Sequence, residues 1–176
     1  MKRKSFLIAD ERGAALVELA LVAPILAAVV AGVIDISTAY SRKLALEQGA
    51  QRAIEKIMQT TDDDTVEGTL KNEAVCQVNG TNADGSCLSS PITAANVTVT
   101  YKLICRTTAG VAGSTQTNTD PTVFDTYTCS GAAPVENRYI EVSIRDTFRG
   151  IFIHKFGSGA GKNEFEINAV AGMRTQ

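Results

Sequence analysis

Arg12-Gly13-Ala14-Ala15-Leu16-Val17-Glu18-Leu19-Ala20-Leu21-Val22-Ala23-Pro24 opens an apolar run that continues to Ile34. From Ala14 to Ile34 the only charged side chain is Glu18. As a helix those residues span about 30 Å, the thickness of a bilayer's hydrocarbon core. Pro24 would break a soluble helix, but membrane helices tolerate proline because their neighbours restore the lost backbone bonding. A carboxylate inside such a segment is costly and is kept for a reason. Asp35 closes the run at the expected outer interface.

On the N-terminal side lies a basic leader. Lys2, Arg3, Lys4 and Arg12 outnumber Asp10 and Glu11, whereas the whole chain carries a net charge of -2. Basic residues flanking a hydrophobic helix stay cytoplasmic, so everything after Asp35 is expected across the membrane. The overall balance gives no reason to expect a nucleic-acid partner.

On the C-terminal side the helical pattern continues. From Thr38 to Gln59 the chain is rich in helix formers, and Leu46, Ala50, Ala53, Ile54, Ile57 and Met58 recur every three or four residues. Arg42, Lys43, Glu47, Gln51, Arg52, Glu55 and Lys56 fill the other positions, and Gly49 weakens the pattern slightly. Ala14 to Gln59 as one rod is about 70 Å long. Its first half is apolar all round and its second half on one side only, so the second half needs a partner surface. Four segments follow: a leader 1–13, a transmembrane helix 14–36, an amphipathic continuation 37–59, and a domain 60–176.

Within that domain Thr60 to Thr65 reads as a stop, and Val66 to Ala74 as a short helix. Cys76 to Cys87 reads as a polar loop with two turn dipeptides, Asn79-Gly80 and Asp84-Gly85. Val97, Val99, Tyr101 and Leu103 alternate with polar residues as a strand ending at Cys105. Thr107 to Asp120 reads as a mobile loop and Val123 to Cys129 as a second strand. Ile140, Val142 and Ile144 mark a third, and Phe165 to Ala171 a last one. Between these two lie an apolar segment, Ile151 to Phe156, and a glycine-rich turn, Gly157 to Gly161. Short gaps favour antiparallel pairing. The expected fold is α+β: a long N-terminal helix packed on a small antiparallel sheet.

Cys76, Cys87, Cys105 and Cys129 all follow the membrane segment, where an oxidising compartment lets them pair. Three pairings are open, with free buried thiols as the alternative. Local loop closure favours Cys76–Cys87 and Cys105–Cys129. A zinc site is disfavoured, since there is no C-x-x-C and the single histidine, His154, is remote.

Other patterns fail on inspection. Gly157 to Lys162 resembles a phosphate loop, but Phe156 and Asn163 occupy positions that need glycine and a hydroxyl. Asn82 to Gly85 resembles a calcium loop, but Gly80 and Pro91 stand where ligands are required. Asp62 to Asp64 reads as a solvated helix end. Asn79-Gly80-Thr81 and Asn96-Val97-Thr98 are chance sequons. No Ser/His/Asp set or carboxylate pair stands out, so no enzyme activity, cofactor, metal or small-molecule substrate is expected.

The stretch Arg12 to Pro24 resembles the TadE-like minor pilin (pseudopilin) family of the tight-adherence (Tad/Flp) type IV pilus. The shared features are Gly13, Glu18 and Pro24. The C-terminus is similar too: a strand, a short apolar segment, a glycine-bearing turn, and a last strand closing on Ala171-Gly172-Met173-Arg174. Residues 60–135 match nothing familiar. The resemblance implies cleavage between Gly13 and Ala14 by a prepilin peptidase. It implies a place in the bacterial inner membrane with a periplasmic domain, and later in a pilus for adhesion or biofilm formation. Partners would be other Tad pilins, the Tad assembly machinery and inner-membrane lipid. In this reading Glu18 meets a neighbour's new N-terminus and sets axial register. Alanine rather than phenylalanine after the cut leaves N-methylation open. Two alternatives remain: a signal-anchored periplasmic binding module, or secretion with cleavage at Ser37-Thr38-Ala39, before Tyr40. Asp35 and the length of the run count against the second.

Overall fold

A computed structural model describes residues 11–59, 66–131, 135–150 and 164–175. The dominant element is α1, Glu11–Gln59, a single helix that passes through Pro24 without ending. After it come α2 (Val66–Asn79), β1 (Val97–Arg106), β2 (Ala112–Asn118), the one-turn α3 (Pro121–Phe124), β3 (Val135–Arg149) and β4 (Glu164–Arg174). The strands form one antiparallel sheet in the order β2-β1-β3-β4. This is the expected α+β arrangement, with a long helix on a four-stranded sheet.

The sheet has one buried face because β1 alternates. Val97, Val99, Tyr101, Leu103 and Cys105 point inward, and β3 matches them in register with Ile144 opposite Val97 and Val142 opposite Val99. The second half of α1 supplies Leu46, Ala50, Ala53 and Ile54, and α2 adds Leu70, Ala74 and Val75. These side chains and Ile92 make one apolar core. Ile57 packs at its margin, but Met58 is exposed.

Gly49 is the point of closest approach. A Cβ there would stand 2.5 Å from Val78 Cγ2, 3.0 Å from the Ala74 carbonyl oxygen and 3.2 Å from Ile144 Cδ1. Its weak helix propensity is therefore outweighed by packing: it lets α2 lie directly against α1. Two ion pairs flank this contact. Arg42 Nε binds Asp146 Oδ2 at 2.7 Å, and Arg52 Nε binds Glu73 Oε1 at 3.0 Å.

Four local expectations are corrected. The helix starting at Val66 continues to Asn79, so Cys76 is helical and not in a loop. Residues 107–120 are not simply a loop, since Ala112–Asn118 pair with β1 as an edge strand. Residues 123–129 are not a strand: Asp120 caps a helical turn there, accepting from the Thr122 N–H at 2.9 Å and the Thr122 hydroxyl at 2.7 Å. Those two bonds, the hydroxyl's first, hold the Asp120 carboxyl below its ordinary range. The third strand is longer than its apolar centre and runs from Val135 to Arg149. Both sequon asparagines already use their amides. Asn79 Nδ2 donates to the Leu88 and Ile92 carbonyls at 2.6 Å each, and Asn96 Nδ2 to the Arg145 carbonyl at 3.0 Å. The readings of residues 1–10, Thr60 to Thr65, Ile151 to Gly161 and His154 lie outside the described residues.

Cys76 is bonded to Cys87 with Cα atoms 4.6 Å apart, and Cys105 to Cys129 at 5.6 Å. The first pins α2 to the turn that follows it. The second ties the end of β1 to the chain after α3, where Phe124 packs on Tyr101 and Tyr127 and lies beneath the Arg138 guanidinium.

Two predictions follow from this packing. Gly49→Ala should cost about 2 kcal/mol through overpacking, read as a lowered thermal midpoint by circular dichroism in detergent. An unchanged midpoint would mean that α1 and α2 do not touch there. Each disulfide should contribute about 3 kcal/mol by loop closure, more for Cys105–Cys129 than for Cys76–Cys87, because the closed segments differ, at 24 against 11 residues. Paired Cys→Ser variants measured by urea unfolding check that order.

Candidate assembly helix

The first half of α1 stands clear of the domain. Leu16, Val17, Leu19, Leu21, Val22, Ile25, Leu26, Val29 and Val30 are all exposed, on every side of the helix. Burying each such side chain is worth about 1.5–3 kcal/mol, so water is not their stable surrounding. The segment has a mean hydropathy of 2.5 and is only 6% buried. That separates it from the core helix of a soluble fold, which would be buried. It is long and apolar enough to span a membrane.

Glu18 is exposed on this rod, four residues beyond Ala14 and so about one turn above it on the same face. Within the protein it is a single carboxylate on an otherwise hydrocarbon surface. Pro24 sits in the middle of that surface.

Gly13 lies in the first turn of α1, and a side chain added there would meet no other atom within 4 Å. Its backbone is helical, and glycine there adds about 1 kcal/mol of helix instability. Among the described residues nothing from the folded domain covers it.

The domain meets the rod from Ala28 onward. Ala28, Gly32, Ile36 and Ala39 face Phe148, Phe165 and Ile167 across a cleft of about 680 Å³. Gly150 packs so near Asp35 that a Cβ would be 3.2 Å from Asp35 Oδ2. Ala31 is buried at this contact, while Val33, Ile34 and Ile36 beyond it stay exposed. The apolar pattern alone did not reveal this overlap, because small residues suit both a bilayer and a close protein contact.

The singled-out residues fall into two groups. Gly13, Ala14, Glu18 and Pro24 lie on the exposed rod, and the four cysteines lie in the domain. The structure does not bring the two groups together. The rod offers a surface for lipid or for other apolar helices, and the disulfides hold the domain that it carries. A family model described as TadE-like protein matches residues 13–54, which take in the glycine, the apolar rod and the start of the packed half. No curated protein and no solved structure matches the chain. Over residues 13–54 the chain is similar to the TadE-like family.

Proposed function

We propose that this chain is a minor subunit of a bacterial Tad-type pilus, cut after Gly13 by a prepilin peptidase and then moved from membrane to filament. The observation that carries the reading is the exposed apolar half of α1 with Glu18 as its one charge. Lipid and a bundle of like helices are both dry surroundings, so the same surface is stable in either. Cleavage would create an ammonium at Ala14. Left alone in lipid, an ammonium or a carboxylate costs at least ~2.5 kcal/mol at the bilayer centre. In a bundle of staggered rods, the carboxylate of one subunit can meet the terminus of the next and recover part of that cost.

The TadE-like match to residues 13–54 supports association with Tad pilus components. The leader charges support a cytoplasmic N-terminus, and the two disulfides support an oxidising compartment for the domain. The protein acts by assembling and is itself a substrate of the peptidase. It carries out no catalysis and takes no cofactor. The domain is held outside the inner membrane, and filament incorporation would present it at the cell surface for adhesion.

Glu18→Ala tests the role of the carboxylate. The variant should be processed to the same size as wild type but recovered in sheared pili at least tenfold less. Normal recovery would remove Glu18 from assembly. Failure of processing would place it in peptidase recognition instead.

A further inference from the structure

At the end of the sheet farthest from the apolar rod, the final residues of β1, the start of β3 and the end of β4 enclose a cleft of about 370 Å³. The near end is fixed by Arg42 on Asp146, late in β3, and β3 runs back from there to Val135. Arg106, Thr107, Thr108, Asn137, Tyr139 and Arg174 line the cleft, and no acidic residue is among its described lining. In a chain of net charge -2, this is a local reversal of sign.

Asn137 is the unusual member. It sits on β3 opposite Ile104, on the face away from the core residues Val142 and Ile144. It is only 6% exposed, and among the described residues its amide makes no hydrogen bond, so its polar atoms, which are not fully buried, are left to solvent or to a ligand. Its remaining accessible surface opens into the cleft. Arg106 is exposed and has no carboxylate partner among the described residues. The loop behind it is fixed: Thr107 N donates to the Val111 carbonyl at 3.1 Å, and the Thr107 hydroxyl accepts from Val111 N at 3.2 Å. That leaves the Thr107 hydroxyl proton for another acceptor.

We propose that this cleft binds an acidic monosaccharide, with the carboxylate on Arg106 and a ring hydroxyl on the Asn137 amide. A bare oxyanion only accepts hydrogen bonds and would leave the Asn137 carbonyl without a donor, whereas a sugar hydroxyl both donates and accepts. Tyr139 supplies an aromatic surface for the ring, and the volume lies at the small end of ligand sites, larger than an inorganic anion needs. A guanidinium and a carboxylate make the charge-assisted pair.

The test uses the full chain in nonionic detergent, titrated with glucuronate and N-acetylneuraminate by calorimetry and saturation-transfer NMR. At least one should bind saturably in the millimolar range, with glucose, acetate and phosphate at least about tenfold weaker. Arg106→Gln, at an exposed position, should reduce that affinity at least tenfold without lowering the thermal midpoint. Asn137→Asp, which places a like charge against the carboxylate, should abolish binding. Three results would overturn the proposal: no saturable binding of either acid, equal binding by Arg106→Gln, or acetate, phosphate or a glutamate-rich peptide binding as tightly as the sugar acids.

Discussion

The contact at Gly49 governs the rest of the molecule. One helix must serve two surroundings, and the change-over happens within about four turns. Before Ala31 the large apolar side chains are exposed; between Leu46 and Ile54 one stripe, Leu46, Ala50, Ala53 and Ile54, is buried against α2 and the sheet. Gly49 lets α2 approach to backbone distance, and the Arg42–Asp146 and Arg52–Glu73 pairs fix the helix on either side of it. With the domain clamped in this way, the large apolar side chains from Leu16 to Leu26 stay exposed among the described residues. That exposure is what makes the apolar surface available to lipid or to other helices.

The disulfides serve the same division. Neither crosses from the domain to α1; each fastens a peripheral segment to the element beside it. Cys76–Cys87 holds the turn after α2 together with the Asn79 amide, which reaches the backbone of Leu88 and Ile92. Cys105–Cys129 secures the corner around Phe124 and Tyr101. The domain can therefore withstand an oxidising, extracytoplasmic setting, while α1 remains a plain helix whose neighbours can change.

How much of this was legible in the residues depends on which signal each element carries. The alternation of Val97, Val99, Tyr101 and Leu103 marked β1 because one face of the strand is fully buried. The long helix was legible because its apolar positions change from all-round to one-sided at the point where the domain begins. β2 was missed because Ala112–Asn118 is an uncharged polar edge strand, with no buried face to impose alternation. The extent of α2 was missed because Asn79-Gly80 reads as a turn, and the helix does end there, after carrying Cys76. Gly49 and Asn137 could not be found from pattern at all: one is defined by a neighbour in α2, the other by burial on a sheet face expected to be wet. At the assembly helix, Gly13, Glu18 and Pro24 stood out at once, since each breaks an apolar rule at a fixed place. The meeting of Ala28 and Gly32 with Phe148 and Phe165 did not, because those residues are far apart in the chain.

The central claim is that the apolar rod is released for assembly by a single cut that creates an ammonium one turn below Glu18. Intact mass together with N-terminal sequencing, on protein from cells with and without the prepilin peptidase, tests it most directly. The account predicts a mature chain beginning at Ala14 in the first case and the uncut leader in the second. A mature chain that retains residues 1–13, or one that begins at Tyr40, would contradict it.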